Sequence, residues 1–144
     1  MNEIKLAERE HLSQIAEIES LSLKEAWSES ALELFVKDGA FAVVLVCDGR
    51  TLSYCTVMQA PFEAQIINVA THPSCRGRGY ARAVIERVIE ESNKRGADTI
   101  SLEVRESNVP AIELYKKLGF DVCGVRKGFY KNPSESALVM VKKL

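Results

Sequence analysis

The chain lacks any apolar run near the length that a membrane-spanning helix requires. Of its 144 residues, 47% are apolar and 27% are charged, which is the balance of an ordinary globular protein. No run approaches the roughly 20 consecutive apolar residues needed to cross a bilayer, and the opening MNEIKLAEREHL does not resemble a secretory signal. We therefore expect one domain over residues 1–144, located in the cytoplasm and without a membrane partner.

The sequence also has little excess charge and no cysteine pattern. A net charge of -1 argues against a nucleic-acid partner, which usually requires a strongly basic surface. The four cysteines are scattered without CxxC spacing, so we expect neither a metal site nor a disulfide framework. Cys47, Cys55 and Cys123 are expected to be small buried side chains. The sequence is silent on the oligomeric state, and we expect a monomer or a weak dimer.

Hydrophobic periodicity divides the chain into helices and strands. The first helix is predicted from apolar residues that recur at a spacing of three: Leu12, Ile15, Ile18 and Leu21. A second helix is predicted between Ser28 as its N-cap and Gly39 as its end. The segments AFAVVLVC and TLSYCTVM, joined by an Asp-Gly turn, predict a β-hairpin, and AQIINVATHP predicts a further strand.

The second half of the chain continues the same mixture. Residues 79–96 have a helical apolar stripe, and DTISLEVRE alternates as a strand with Glu103 on its polar side. A fourth helix follows, with Asn108 as its cap, and two strands end the chain. The predicted order is β-α-α-β-β-β-α-β-α-β-β, a mixed α/β domain with helices covering the sheet.

One stretch, SCRGRGYARA at residues 74–83, has the composition of an anion-binding loop. It joins a predicted strand to a helix, and its glycines let the backbone approach a ligand closely. The first amides of a helix lack intrahelical partners and lie at the positive end of its dipole. Arg76, Arg78 and Arg82 add full charges. Together these features suit a phosphate or pyrophosphate, although a water-exposed basic turn is the alternative.

Two common phosphate motifs are excluded at this loop. A dinucleotide fingerprint requires GxGxxG, but GRGYAR places Arg82 at the sixth position. The P-loop pattern GxxxxGK[ST] does not occur in the chain. Binding of ATP or NAD by this loop is therefore a weak alternative.

The spacing Arg76-x-x-Gly79-x-Ala81 resembles the pyrophosphate loop of the GNAT superfamily of N-acetyltransferases. Residues 102–120, LEVRESNVPAIELYKKLGF, are similar to the ribosomal-protein-alanine N-acetyltransferase branch of that superfamily. The fragments INVATHP, AWS and RKGFY match the same branch and extend the resemblance over nearly the whole chain. The resemblance implies a mostly antiparallel sheet flanked by helices, which agrees with the order predicted from periodicity.

The resemblance implies acetyl-CoA as co-substrate, with no metal. The positions that correspond to CoA-binding residues are Val69, Ala70, Thr71, Arg76, Gly77, Arg78, Gly79, Tyr80, Ala81, Arg82 and Asn108. Among the first three, only backbone groups are expected to act. Asn108 has a helix cap as its alternative role, and one side chain would not easily perform both. His72, which follows the strand beside Pro73, has no role in the family.

The resemblance also implies two catalytic residues and part of an acceptor site. Glu103 corresponds to the general base and Tyr115 to the general acid that protonates the CoA thiolate. Without the motif, Glu103 would be interpreted as a surface carboxylate and Tyr115 as a core aromatic. Trp27 and Tyr130 correspond to the acceptor-peptide groove, where Trp27 has a core role as its alternative. The residues Phe129 and Ser136 depart from the branch pattern and put acceptor specificity in question.

The expected function is acetyl transfer to the N-terminal α-amine of a ribosomal protein, the alanine of small-subunit protein S18. Acetylation of a lysine or of a small-molecule amine is an alternative within the same superfamily. A non-catalytic CoA-binding module is an alternative from another class, although such a module would need neither an acid nor a base.

Overall fold

Strands and helices follow one another in the order that periodicity predicts. A computed structural model of the chain, which describes residues 1–131 and 133–144, contains one seven-stranded sheet. The strands are β1 (Asn2–Leu6), β2 (Ala40–Cys47), β3 (Arg50–Ala60), β4 (Glu63–Thr71), β5 (Thr99–Arg105), β6 (Asp121–Tyr130) and β7 (Glu135–Lys143). The α-helices are α1 (Leu12–Ser22), α2 (Glu29–Leu32), α3 (Tyr80–Lys94) and α4 (Val109–Lys117). Within the described residues, no helix is long and apolar enough to cross a membrane.

Helix α1 buries three of the four residues that were expected to face the core. Leu12, Ile15 and Ile18 are buried as predicted. The prediction for Leu21 is wrong, because Leu21 is 54% exposed, and the residue buried near this end of the helix is Glu19, at 0%. Each helical residue turns by about 100°, so a strict spacing of three drifts by about 60° at every step. Leu21 therefore lies opposite Leu12, whereas Glu19 returns to the side of Leu12.

The second helix is shorter and tighter than predicted. Ser28 caps it as expected, since its hydroxyl accepts a hydrogen bond from the Ala31 amide at 3.2 Å. The α-helix ends at Leu32 and continues as a 3-10 turn, Glu33–Val36, before the predicted end. Leu32 and Phe35 are both buried, and their separation of one 3-10 turn places them on the same side.

The sheet is antiparallel except where β4 meets β5. Its order is β1-β2-β3-β4-β5-β7-β6, and β4 pairs in parallel with β5 only between residues 63–65 and 99–101. A bulge at Ile67 interrupts the register between β3 and β4 just beyond this short pairing. Bulges bend the strand that contains them, and here β4 leaves β5. A gap opens between the carboxyl halves of the two strands.

The central strands are buried on both faces of the sheet. In β2, Phe41 and Val43 pack into a cluster that contains the buried side chains of α3 and α4. Ala42 and Val44 pack into a second cluster with those of α1 and α2. Alternate residues of one strand thus contribute to two helix-covered layers, which accounts for its continuous apolar sequence.

Strand β6 forms one edge of the sheet and is largely exposed. Cys123 on this strand is exposed and Cys47 is half-buried, so of the three cysteines expected to be buried only Cys55 is. Val122 and Val125, also on β6, are 44% and 54% exposed. The apolar residues of this strand predicted its secondary structure but not its burial, because the edge strand has a neighbour on one side only.

Candidate active site

Backbone groups of β4 point into the gap between β4 and β5. Thr56 Oγ1 on β3 binds the Asn68 amide at 3.1 Å, and the Ala70 carbonyl also accepts a hydrogen bond from a β3 side chain. Backbone groups of successive strand residues point to opposite sides of the strand. Val69 and Thr71 therefore direct their amides and carbonyls away from β3, into the gap. These groups are available to pair with an extended ligand.

A cavity of about 360 Å³ lies beside the predicted anion-binding loop, and we term it the glycine-loop cavity. It is formed by β4, the loop and the first turns of α3 and α4. Every residue predicted to contact CoA lines it except Ala70 and Arg78. Ala70 packs against the second core cluster, and Arg78 is exposed. The loop and Asn108, which are distant in sequence, therefore come together as predicted.

Two glycines shape the loop for close approach of a ligand. Gly77 and Gly79 have φ values of +81° and +77°, which residues with a Cβ adopt at a cost. A Cβ built at either position meets no heavy atom within 4 Å, so this side of the loop is open. Gly79 also precedes the first residue of α3 and provides no side-chain cap. The first amides of α3 thus face the cavity region without a capping side chain from Gly79.

The arginines of the loop are placed differently from one another. Arg76 lines the cavity, and its Nη2 donates to Ser22 Oγ at the end of α1 over 3.3 Å. Arg82 also lines the cavity and lies 3.8 Å from Glu86 in an exposed ion pair. Two guanidinium groups next to open helix amides make this cavity suitable for an anionic ligand.

A second cavity, of about 490 Å³, adjoins the first, and we term it the hairpin cavity because the β6–β7 hairpin forms one wall. Its other walls come from β4, β5 and the segment after α1. It contains the predicted acceptor residues Trp27 and Tyr130 together with Glu103. Asn108 lines both cavities, so they meet at this residue.

Glu103 occupies the wall of the hairpin cavity, with its side chain 16% exposed. Its Oε1 accepts a hydrogen bond from Gln65 Nε2 at 3.3 Å, and its Oε2 lies 3.3 Å from Arg126 Nη1. The ion pair is the one expected of a surface carboxylate, but Glu103 itself is largely enclosed. Gln65 and the Arg126 guanidinium therefore lie against the two carboxylate oxygens in the cavity wall, and Oε2 is buried without a hydrogen-bond partner among the described residues.

Tyr115 lines the glycine-loop cavity and is 5% exposed. Its ring packs edge-on against Phe120 with 5.9 Å between the ring centres. Burial raises the pKa of Tyr115 above its ordinary value, so the phenol keeps its proton at neutral pH. Tyr115 is thus both a core aromatic and a protonated cavity residue.

Asn108 caps α4, as its sequence context predicts. Its Oδ1 accepts a hydrogen bond from the Ala111 amide at 3.3 Å. The cap uses the oxygen of the side-chain amide, and the nitrogen is a separate donor. Capping and ligand contact are therefore compatible in this geometry, contrary to the expectation that they compete. His72 has a local role, since its Nδ1 accepts a hydrogen bond from the Ser74 amide at 3.1 Å.

The wall of the hairpin cavity contains a polar network that no sequence motif predicts. Arg105 donates to Glu135 Oε1 at 3.1 Å and to the carbonyl oxygens of Lys131 and Pro133. Its guanidinium also lies 4.4 Å from the centre of the Tyr130 ring. A charged residue near the end of a predicted strand is the sequence signal for this role. Arg105 therefore ties the β6–β7 connection to β5.

Comparison with known proteins agrees with this geometry. The model of the Acetyltransferase (GNAT) family matches residues 10–120. The chain belongs to the GNAT acetyltransferase family. Acetyl-CoA is therefore the acetyl donor of this N-acetyltransferase.

Individual relatives are similar over almost their full length. A protein of Bacillus subtilis strain 168, provisionally named [ribosomal protein bS18]-alanine N-acetyltransferase, is 35% identical over 133 residues, covering 91% of this acetyltransferase and 88% of the relative. The enzyme of that name from Escherichia coli K12 is 32% identical over 142 residues, covering 97% and 96%. The crystal structure of the Escherichia coli ribosomal-protein-S18-alanine N-acetyltransferase superposes with a TM-score of 0.92 at 31% identity, covering 99% and 94% of the chains.

Proposed function

We propose that this acetyltransferase modifies the N-terminal α-amine of a ribosomal protein, the alanine of small-subunit protein S18. The observation that carries the proposal is the meeting of two cavities at Asn108, one containing Tyr115 and the other Glu103. The names of its full-length relatives support the choice of acceptor. Action on a ribosomal protein would place the enzyme in the cytoplasm.

The glycine-loop cavity holds the acetyl donor in this proposal. Arg76 and the amides at the start of α3 bind the pyrophosphate, because both present positive charge to the open side of the loop. Arg82 adds to the local field. The backbone groups of Val69 and Thr71, which point into the gap, pair with the extended amide-containing arm of CoA as a neighbouring strand would.

The hairpin cavity holds the acceptor and supplies the base. The incoming amine lies near Glu103, which takes a proton from it directly or through one water molecule. Trp27 and Tyr130 form apolar walls for the first residues of the peptide. No covalent intermediate on the enzyme is needed, since a neutral amine attacks a thioester directly.

The transfer then proceeds with both protons accounted for. The amine nitrogen forms a bond to the acetyl carbonyl carbon, the bond from that carbon to sulfur breaks, and the nitrogen loses its proton to Glu103. The departing thiolate takes the phenolic proton of Tyr115. Because burial raises the pKa of Tyr115, the phenol still carries its proton when the thiolate leaves. The two residues return to their starting states by exchange with solvent.

An α-amine is the better acceptor for a single carboxylate base. Near pH 7.5, an α-amine with a pKa of about 8 is neutral in roughly a quarter of molecules, whereas lysine is neutral in roughly one per thousand. A larger share of N-terminal acceptors is therefore already neutral, and Glu103 has to deprotonate fewer of them than of lysine side chains. This difference favours Nα-acetylation over the lysine alternative.

The proposal is tested with a matched set of acceptors. The set contains an S18 N-terminal peptide beginning with alanine, the same peptide with a blocked α-amine and an added internal lysine, and a polyamine. We expect only the first to gain the mass of one acetyl group, with tandem mass spectrometry locating the group on the α-nitrogen.

Two outcomes would contradict the assignment. Acetylation of the blocked peptide would show that lysine is the acceptor, and acetylation of the polyamine alone would identify a small-molecule enzyme. As a control, the free peptide with its first alanine replaced by a bulky residue tests whether the hairpin cavity selects the first side chain.

A further inference from the structure

Glu19 is a fully buried carboxylate that the proposed reaction does not use. It lies on α1, has 0% exposure and faces the second core cluster of apolar side chains. Burial of a carboxylate in such surroundings is unfavourable unless hydrogen bonds compensate for the lost water. The groups that compensate it therefore indicate what this residue organises.

Three donors converge on the two oxygens of Glu19. Tyr54 Oη donates to Oε2 at 2.8 Å, and Asn68 Nδ2 donates to the same oxygen at 3.2 Å. The backbone amide of Trp27 donates to Oε1 at 2.7 Å. The donors come from β3, from β4 and from the segment between α1 and α2, so one side chain connects three separate elements to α1.

Two of these donors belong to residues that line the hairpin cavity. Asn68 follows the bulge at Ile67, where β4 leaves β5, and Trp27 lies in the segment after α1. The Trp27 ring also packs on Phe35 with 5.2 Å between ring centres. Oε1 therefore holds the wall that contains Trp27, and Oε2 holds the wall that contains Asn68. The separation of the two walls depends on the geometry of a single carboxylate.

A purely structural role does not require this arrangement. Buried ionic groups are often replaceable by well-packed apolar residues without loss of stability. A leucine at this position would fill the core but would leave the amide of Trp27 and the side chain of Asn68 without their acceptor. The carboxylate, in contrast, fixes the position of Asn68 relative to Trp27 in the two cavity walls.

We propose that Glu19 is a positioning residue for the acceptor: it sets the relative placement of Asn68 and Trp27 and thereby the fit of the acceptor peptide. The inference rests on the proposed function in taking the hairpin cavity as the acceptor site. It assigns Glu19 no contact with substrate and no part in proton transfer. Acetyl-CoA binding in the neighbouring cavity should not depend on it.

The first test compares Glu19→Gln with two other variants. Glutamine has the shape of glutamate, but its NH₂ group would face either the Trp27 amide or the donors on the other oxygen, so one wall is released. Tyr54→Phe removes one of the two donors on Oε2, so both wall contacts are then made by a less restrained carboxylate. Glu17→Gln, an exposed carboxylate on the same helix, is the matched control.

We expect Glu19→Gln to raise the KM for the acceptor peptide by about tenfold, with kcat and the KM for acetyl-CoA changed by less than about twofold. Tyr54→Phe should raise the acceptor KM by a smaller factor, and Glu17→Gln should match the wild type. Equal changes in the two KM values, or an unchanged acceptor KM in a less stable Glu19→Gln protein, would overturn the proposal.

The second test needs no turnover, because Trp27 is the chain's single tryptophan. In the ligand-free protein, Glu19→Gln should shift the Trp27 fluorescence emission to longer wavelength, since release of its backbone exposes the ring to water. Tyr54→Phe provides the same readout if Glu19→Gln does not fold, with a smaller shift expected. Unchanged emission in a folded Glu19→Gln protein would overturn the proposal, whereas failure of the S18 peptide to react with the wild type would contradict the proposed acceptor alone.

Discussion

The glycine-loop cavity and the hairpin cavity adjoin at Asn108 but are assembled in different ways. Seven of the fifteen residues that line the first come from one continuous segment, residues 75–82, and five more come from α4 and its cap. The second takes its walls from β4, β5, the end of β6 and the segment after α1, which are far apart in the chain. The continuous segment carries its ligand chemistry in its own residues. The assembled cavity depends on polar contacts in and behind its walls, such as those of Arg105 in the wall and of Glu19 behind it.

This difference predicts how variants in the two cavities will behave. Donor binding should respond to changes at single loop positions. Acceptor binding should respond to changes at residues that never touch the acceptor. The chemical step should require one residue from each cavity, Glu103 and Tyr115, and substitutions there should have the largest effects.

Glu103→Gln and Tyr115→Phe are expected to lower kcat by at least about tenfold, since general acid–base residues typically contribute about 10²–10⁴-fold. The dissociation constant for CoA should stay close to that of the wild type in both. The two defects should differ in pH dependence. The defect of Glu103→Gln should shrink as the pH rises past about 8, because the α-amine then loses its proton without a base. The defect of Tyr115→Phe should not shrink.

Steady-state kinetics between pH 6.5 and 9 with an S18 peptide, together with calorimetric titration of CoA, make this comparison. Glu106→Gln, an exposed carboxylate close to Glu103 in sequence that lines neither cavity, is the control. Unchanged turnover in both active-site variants would remove their catalytic assignment. Loss of CoA binding in Glu103→Gln would contradict the separation of the two cavities.

Periodicity predicted the fold because each element carries its own signal. The alternation of Ile100, Leu102 and Val104 identified β5, and all three are buried. The errors concern which side faces the core. Leu21 is exposed because a spacing of three drifts around a helix, and Cys123 is exposed because β6 is an edge strand. Position within the sheet depends on distant segments, which local patterns do not contain.

The candidate site shows the same division between local and distant information. The glycine loop and the cap at Asn108 were identified from neighbouring residues. The pairing of Glu103 with Arg126 and the convergence of three elements on Glu19 were not predicted. These contacts join residues that are far apart in the chain, and a polar residue on a helix gives no local indication that it is buried. For this reason, the sequence predicts the glycine-loop cavity better than the hairpin cavity.

Gly79→Ala tests whether the glycine loop acts through its backbone. Gly79 has a φ of +77°, so alanine there costs about 1–2 kcal/mol of strain, and its Cβ would stand on the open side that faces the ligand. We expect the KM for acetyl-CoA to rise about tenfold, equivalent to roughly 1.4 kcal/mol, with the acceptor KM unchanged.

Gly49→Ala is the matched control for this prediction. Gly49 has a φ of +78°, lies in the turn between β2 and β3, and likewise has no heavy atom within 4 Å of a built Cβ. Both variants should lose similar thermal stability, but only Gly79→Ala should bind acetyl-CoA more weakly. Equal KM values for acetyl-CoA in the two variants would show that the loop does not contact the donor.

The smallest effect is expected at the wall of the hairpin cavity, through Glu135. Hydrogen bonds from the Ser107 side chain, from Arg105 and from the Ser107 amide, which donates at 2.7 Å, lower the pKa of Glu135. A carboxylate whose pKa is lower in the folded state stabilises that state above its unfolded pKa of about 4.3. That contribution disappears as the pH falls through the folded value. We expect Glu135→Gln to have a lower Tm than the wild type at neutral pH and a gap that narrows below about pH 4.

Arg105→Gln should reproduce this pH dependence, because it removes the other member of the same ion pair. Both variants should also raise the acceptor KM more than the acetyl-CoA KM, since Arg105 ties the β6–β7 connection to β5. Thermal unfolding from pH 3 to 7 and paired KM measurements provide the two readouts. A Tm gap that is constant over this range would contradict the role of the charge. If the Tm difference narrows but the acceptor KM is unchanged, the Arg105–Glu135 network contributes to stability and not to acceptor binding. Glu19 would then remain the proposed link between buried polar contacts and the fit of the acceptor.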